Sequence, residues 1–89
     1  MNIGKVVMTR GIADFVQKNY EFACEVPQIL LRYVNKDWGC TSEGDAKLND
    51  EALHSGDRIV ATYETSVGKV FIITEADRSY TTVLLPSEY

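Results

Sequence analysis

The chain has 89 residues, of which 45% are hydrophobic and 25% are charged, a composition typical of globular proteins. We therefore expect one α+β domain over residues 1–89, and these values argue against a disordered chain. The longest apolar run, Val70 to Ile73, is far below the ~20 residues that span a bilayer. No apolar segment near Met1 resembles the core of a signal peptide, so we expect a cytoplasmic protein without membrane contact.

The charge of the chain is unevenly distributed. The formal net charge is −4, yet the segment from Asp37 to Asp57 holds six acidic residues and one lysine and so carries −5. Because acidic side chains repel phosphate, we expect no direct binding to nucleic acid. The segment suits a partner protein with a basic surface. The simpler alternative is a solvated helix face.

The first predicted elements are a short strand and a short helix. Ile3 to Met8 is rich in β-branched residues and is typical of a strand. Thr9 is placed to cap the helix that follows. Ile12, Phe15 and Val16 lie at helical spacing in that helix.

A longer amphipathic helix is predicted next. Its apolar residues recur three or four positions apart: Phe22, Val26, Ile29, Leu30, Tyr33 and Val34. Pro27 lacks an amide hydrogen and fits best in a first turn, so we expect this helix to begin near Glu25 or Val26, after a break. Gly39 is expected to adopt a left-handed conformation just beyond the helix end.

A third helix is predicted from Ser42 to His54. Ser42 with Asp45 resembles a capping box, and the early acids suit the positive end of the helix. Gly56 is expected to end the helix. A narrow apolar stripe is formed by Leu48, Ala52 and Leu53.

The remaining third of the sequence predicts three strands. These are Arg58 to Glu64, Lys69 to Thr74 and Tyr80 to Leu85. The loop Thr65–Gly68 and the turn Ala76–Ser79 are short enough to join neighbouring antiparallel strands.

The element order β-α-α-α-β-β-β predicts an α+β fold, with an antiparallel meander and the helices packed on one face. Val70 to Ile73 is apolar on both faces, so we expect it to be the central strand. The predicted core includes Ile29, Leu30, Val70, Ile72 and Leu84.

None of the common catalytic, phosphate-binding or metal-binding motifs occurs, so we expect a protein that is not an enzyme and takes no cofactor or metal. Cys24 and Cys40 have no metal-binding spacing, and we expect buried thiols instead of a disulfide. His54, the only histidine, is expected to be solvated at a helix end.

Two polar features each have two interpretations. Glu75, Asp77 and Arg78 are either a carboxylate pair beside an anion-binding arginine, or an ordinary turn in which Arg78 bridges Glu75. Trp38, beside Asp37 in a loop, either fills the core or anchors a partner at the surface.

Four segments carry a resemblance to a known family. They are Val7–Ala13, Leu48–Leu53, Gly56–Tyr63 and Ile72–Tyr89. Together they are similar to the small "plasmid-related" proteins of bacterial mobile genetic elements, over most of the chain. That family has no assigned catalytic residues, so the resemblance implies a setting and no site. Small acidic proteins of plasmids and phages often blunt host defence, including restriction and CRISPR systems.

We therefore expect a protein that binds and inhibits a host nucleic-acid-handling defence complex, such as a CRISPR effector. The alternative is an accessory, regulatory or antitoxin-like module of a plasmid or phage. The candidate binding residues lie in the acidic segment and in the turn before the last predicted strand: Asp37, Trp38, Glu43, Asp50, Glu51, Glu75, Asp77 and Arg78.

Overall fold

The computed structural model describes residues 1–89. In chain order its elements are β1 (Lys5–Met8), α1 (Arg10–Lys18), α2 (Tyr20–Val34), α3 (Glu43–Ser55), β2 (Ile59–Thr65), β3 (Gly68–Thr74), β4 (Tyr80–Leu84) and a 3-10 turn (Pro86–Glu88). The predicted α+β class and the order β-α-α-α-β-β-β are confirmed.

The four strands form one mixed sheet in the order β1-β4-β3-β2. Strands β2, β3 and β4 are the predicted antiparallel meander, in which Ala61 is paired with Ile72 and Ile72 with Val83. Strand β3 is interior, as its apolar faces predict. Strand β1 returns to lie beside β4 and runs parallel to it, an arrangement that the short connections of the meander do not predict.

The core lies between α1, α2 and one face of the sheet. That face presents alternate residues of each strand, the period that a pleated strand imposes. The buried cluster comprises Ile12, Phe22, Val26, Ile29, Tyr33, Trp38, Ala52, Ile59, Ala61, Tyr63, Val70, Ile72 and Val83. Of the predicted core residues, Ile29, Val70, Ile72 and Leu84 are buried. Leu30 is only partly buried, because Ile29 and Tyr33 occupy the sheet-facing side of α2.

Helix α2 begins at Tyr20, so the predicted start near Glu25 or Val26 is wrong, and the break between the two helices lies at Asn19. The Asn19 side chain accepts a hydrogen bond of 3.1 Å from the Phe22 N–H and caps the first turn. Pro27 lies inside the helix and leaves one carbonyl without its amide partner. The helix continues past it because Val26 and Ile29, before and after Pro27, are both buried against the core.

The predicted caps of α3 are confirmed. Ser42 Oγ accepts a hydrogen bond of 3.3 Å from the Asp45 N–H, and Gly56 adopts a left-handed φ of 79° at the helix end. Thr9 behaves differently from the prediction. Its hydroxyl makes no capping bond to α1 and donates instead to the Glu88 carboxylate, at 2.6 Å.

The two cysteines form no disulfide, as predicted, but they are not buried as predicted. Both thiols are free, as expected, but both residues are exposed and neither is buried. Cys24 lies on the outward side of α2, opposite the face that carries Phe22 and Val26. Cys40 lies in the loop before α3. A helix position two residues from a buried one points away from the core, which is why Cys24 is exposed.

Candidate partner-binding surface

Trp38 is buried, with 6% of its surface exposed. Its ring meets the ring of Tyr33 edge to face, with centroids 5.6 Å apart. The indole Nε1–H donates to Asp50 Oδ1 at 2.9 Å. The core interpretation of Trp38 is therefore confirmed, and the interpretation as an exposed anchor is wrong. The bond to Asp50 joins the loop before α3 to the middle of that helix.

Asp37 organises the same loop. Its carboxylate forms an ion pair with Arg32 at 2.8 Å and accepts a hydrogen bond of 3.1 Å from the Gly39 N–H. The bond from Arg32 is the main reason that the pKa of Asp37 is lowered. Tyr63 Oη donates to the Asp37 carbonyl at 2.7 Å. Asp37 is thus neutralised by a cation of its own chain.

The acids of α3 are not neutralised in this way. Only two ion pairs occur in the structure, Arg32–Asp37 and Arg58–Glu75, and neither involves α3. Over residues 43–51 the exposed acids are Glu43, Asp45, Asp50 and Glu51, and Lys47 is the one base, so this stretch carries a formal charge of −3. Helical periodicity places Glu43, Lys47 and Glu51 in one row along the surface. The exposed surface of α3 therefore carries net negative charge, which Lys47 offsets only in part.

Leu48 is exposed on α3, at 61% of its surface, although the sequence places it in the apolar stripe. The inward position is taken by Asn49, whose carboxamide bonds to both backbone groups of Val60. Asn49 Nδ2 donates to the Val60 carbonyl at 2.8 Å, and the Val60 N–H donates to Asn49 Oδ1 at 3.2 Å. The apolar spacing does not predict that Asn49 is buried and Leu48 exposed, since this depends on the hydrogen bonds from Asn49 to the neighbouring strand.

A groove of about 240 Å³ lies between α3 and β2. It is lined by Thr41, Ser42, Asp45, Leu48, Asn49, Arg58, Val60 and Thr62. Leu48 and Val60 supply its apolar surface, and Asp45 supplies a carboxylate. A partner side chain that enters this groove would meet the apolar side chains of Leu48 and Val60, with one carboxylate, from Asp45, and one guanidinium, from Arg58, in the same lining.

The turn before β4 is a structural feature built around Arg78. The Arg78 guanidinium donates to the carbonyls of Ala52 at 2.9 Å, Asp57 at 2.7 Å and Glu75 at 3.1 Å. The predicted bridge from Arg78 to Glu75 is made to the backbone carbonyl of Glu75, whereas the Glu75 carboxylate lies near Arg58, at 3.8 Å. Arg78 also holds carbonyls at the end of α3, where a cation is favoured.

Asp77 closes the same turn. Its carboxylate accepts a hydrogen bond of 3.0 Å from the Ser79 N–H, and the bonds from Ser79 lower the pKa of Asp77. Glu75, Asp77 and Tyr80 line a shallow depression at the surface. The turn interpretation is thus supported for Asp77 and Arg78.

Five of the eight predicted binding residues lie on α3 or bond to it, whereas Asp37, Glu75 and Asp77 bond elsewhere. Trp38 and Asp50 are in direct contact, and Arg78 contacts the last turn of the helix through Ala52. Glu43 and Glu51 lie on its outer face. The residue that sequence reasoning missed is Leu48, which spacing alone assigns to the core.

No group of three or more His, Cys, Asp and Glu side chains is placed to hold a metal ion. None of the three α-helices combines the length and the apolar composition that crossing a bilayer requires.

No family model, no curated protein and no solved structure matches this chain.

Proposed function

We propose that this protein is a non-enzymatic binding protein of a mobile genetic element, and that it inhibits a host nucleic-acid-handling defence complex, such as a CRISPR effector. The observation that carries the proposal is the exposed surface of α3, where Glu43, Asp45, Asp50 and Glu51 have no cation of this chain within ion-pair distance and Leu48 is exposed among them.

A helix with net negative charge suits a partner with a basic surface. Nucleic-acid channels are lined by lysine and arginine, which attract such a helix over a distance and orient it as it approaches. Once docked, the carboxylates of Glu43 and Glu51 would occupy positions that phosphates otherwise take. The protein would therefore compete with nucleic acid for its partner.

Charge alone gives little affinity at an exposed surface, since water and salt screen it. Leu48 and the groove beside it supply apolar area that a partner can bury. The bond between Trp38 and Asp50 joins the preceding loop to α3 before any partner arrives, so less ordering is required on binding.

The setting comes from the sequence. The resemblance to plasmid-related proteins of mobile elements implies a chain that acts within a bacterial host, where restriction and CRISPR complexes are the basic, nucleic-acid-handling targets that such elements meet.

Neutralising the outer face of α3 tests the proposal. The variant Glu43→Gln/Asp45→Asn/Glu51→Gln removes three negative charges and keeps Asp50, which holds Trp38. The matched control, Asp14→Asn/Glu21→Gln/Glu64→Gln, removes three exposed acids elsewhere. We expect the α3 variant to lose about tenfold or more in affinity for the inhibited complex, or roughly 1.4 kcal/mol. The control should bind as the unchanged protein does, and equal binding by both variants would refute the role of α3.

The partner is identified by capture from the host followed by mass spectrometry. Recovery of a nucleic-acid-handling complex, released by salt, supports the proposal. Recovery of a single small toxin chain supports the accessory or antitoxin-like alternative. In a gel shift with duplex DNA, we expect no binding by the isolated protein, and micromolar binding at low salt would contradict the assignment of α3 to a basic partner.

A further inference from the structure

The sheet has two edges, and the fold treats them differently. The outer edge of β2 is covered by the segment that leads into α3 and by α3 itself. Asn49 bonds to both backbone groups of Val60, the Thr62 N–H donates to Thr41 Oγ1 at 2.8 Å, and the Cys40 N–H donates to the Thr62 carbonyl at 2.9 Å. Covering an edge in this way prevents its pairing with another strand.

The outer edge of β1 has no such cover. Lys5 N–H donates to the Ser79 carbonyl at 3.2 Å and Thr9 N–H to the Val83 carbonyl at 3.1 Å, so the odd-numbered residues of β1 bond towards β4. Val6 and Met8 alternate with them, and their N–H and C=O groups point away from the sheet. No side chain bonds to these groups, and no strand lies on that side.

The side chains along this edge are apolar and exposed. Val6 is 41% exposed and Met8 is 47% exposed. Strand β1 contains no proline, and its only charge, at Lys5, lies at its first residue. The free N–H and C=O groups of an uncovered edge offer pairing to a further strand. A parallel strand, moreover, is ordinarily an interior one.

We infer that β1 pairs with β1 of a second copy of this chain, antiparallel and across a twofold axis at Val7. In that register Val6 of each copy faces Met8 of the other, and all four outward backbone groups of each edge are paired. The two sheets join into one of eight strands, and β1 becomes interior in both copies.

The register is selected by the structure of β1 itself. A twofold axis at Val6 would pair Met8 with Gly4, whose φ of 61° is not that of a strand. An axis at Met8 would pair Val6 with Arg10, where α1 begins. Only the axis at Val7 keeps both outward residues within β1.

The same register satisfies the side chains. Lys5 of one copy faces Thr9 of the other, so the two lysines are not brought together, whereas like charges placed opposite each other destabilise a strand pair. Val6 meets Met8, and Val7 meets Val7. The occupant that complements a short edge of the sequence Lys-Val-Val-Met is therefore a second copy of it.

The dimer lies at the opposite end of the sheet from α3. Because β1 and β2 are the two edge strands, pairing through β1 leaves the outer face of α3 free. The dimer would carry two such faces. The dimer depends on β1 alone and does not require the proposed function.

Sedimentation across a concentration series up to the millimolar range tests the dimer. We expect the mass to rise from 10.0 kDa towards twice that value. The variant Val6→Pro removes an outward N–H that the folded monomer does not use, and an edge strand tolerates proline. It should remain monomeric, whereas the control Val6→Thr keeps the N–H and should still dimerise.

Hydrogen exchange of individual amides gives a second readout that requires no variant. In the dimer, the amides of Val6 and Met8 should be protected, and the protection should disappear on dilution. A single 10.0 kDa species at millimolar concentration would overturn the inference. So would a dimer in which both amides exchange as free ones, or a monomer whose β1 binds only a foreign extended peptide.

Discussion

The phenolic oxygen of Tyr33 lies 2.6 Å from Oγ1 of Thr74, where α2 crosses the buried face of the sheet. Thr74 Oγ1 lies 2.7 Å from Thr81 Oγ1, and the Thr81 hydroxyl donates to the Ile3 carbonyl at 2.6 Å. Because a carbonyl can only accept, the direction of the whole chain follows: Tyr33 donates to Thr74 and Thr74 donates to Thr81. This row of hydroxyls joins α2, β3, β4 and the segment before β1.

Removing single members of this row should have unequal costs. Tyr33→Phe leaves one acceptor unpaired on Thr74, and we expect a loss of about 1 kcal/mol. Thr74→Val leaves both the Tyr33 hydroxyl hydrogen and the Thr81 oxygen without partners, and we expect about 2–3 kcal/mol. The double variant should lose less than the sum of the two. Urea unfolding measures each value, with Tyr20→Phe at the exposed Tyr20 as the control. Additive losses would mean that the two hydroxyls act independently.

The burial of Tyr33 also predicts a loss of stability in alkali. Burial raises the pKa of Tyr33 from 10.0 to about 12, because the charged phenolate is poorly solvated there. The unfolded chain then releases its proton first, so the stabilisation is complete below pH 10 and is lost as the pH rises towards 12. Burial raises the pKa of Tyr63 as well. Tyr33→Phe should therefore reduce the fall in unfolding free energy above pH 10 without abolishing it. An unchanged slope in the variant would argue that Tyr33 ionises freely.

Arg78 should stabilise the end of α3 through its guanidinium. We expect Arg78→Ala to cost about 1.5–3 kcal/mol, as for hydrogen bonds from a charged group. Amides in the last turn of α3 should exchange faster with solvent in this variant. Arg78 has a φ of 61°, so Arg78→Gly should be about 1 kcal/mol more stable than Arg78→Ala. Both variants lose the hydrogen bonds of Arg78, and only the alanine variant keeps the strain of a positive φ. Equal stabilities of the two variants would show that this strain does not lower the stability.

Glu88 ties the 3-10 turn to α1, and this tie should depend on pH. Its carboxylate accepts hydrogen bonds from the Thr9 hydroxyl at 2.6 Å and from the N–H groups of Gly11 and Leu85, both at 3.0 Å. The bond from Thr9 is the main cause of the lowered pKa of Glu88, whose ordinary value is 4.5. A lowered pKa in the folded state means that the stabilisation is present above pH 4.5 and is lost as the pH falls below it.

Glu88→Gln should accordingly lower the melting temperature at neutral pH, and the difference from the unchanged protein should shrink below pH 4.5. Thermal unfolding followed by circular dichroism over a pH series measures it. The control is Glu51→Gln, an exposed acid whose carboxylate makes no hydrogen bond within the chain. A difference that stays constant in acid would show that the Glu88 charge does not contribute.

Core truncations should follow the observed burial. Ile72 is fully buried, and we expect Ile72→Ala to cost about 2–5 kcal/mol. Leu30 only borders the core, so Leu30→Ala should cost less, about 1–2 kcal/mol. Urea unfolding compares the two. A larger loss at Leu30 than at Ile72 would contradict the packing of α2 described above.

The sequence by itself determined the class, the element order and most element ends. Ser42 and Gly56 mark α3 because caps act on the backbone within one turn. The alternation of β2 and β3 identifies strands, and an apolar run on both faces identifies an interior one. These signals come from residues a few positions apart, so they can be read from the sequence without knowledge of the fold.

Only the tertiary structure decided which side chains meet across the fold. Leu48 is exposed because Asn49 bonds to β2, and the Arg78 guanidinium bonds to backbone carbonyls at the end of α3 as well as to that of Glu75. Strand β1 joins the sheet parallel to β4, more than 70 residues further along the chain. The physical reason is common to all three. A hydrogen bond or strand pairing between distant residues depends on where the rest of the chain places its partner, and periodicity carries no information about that position.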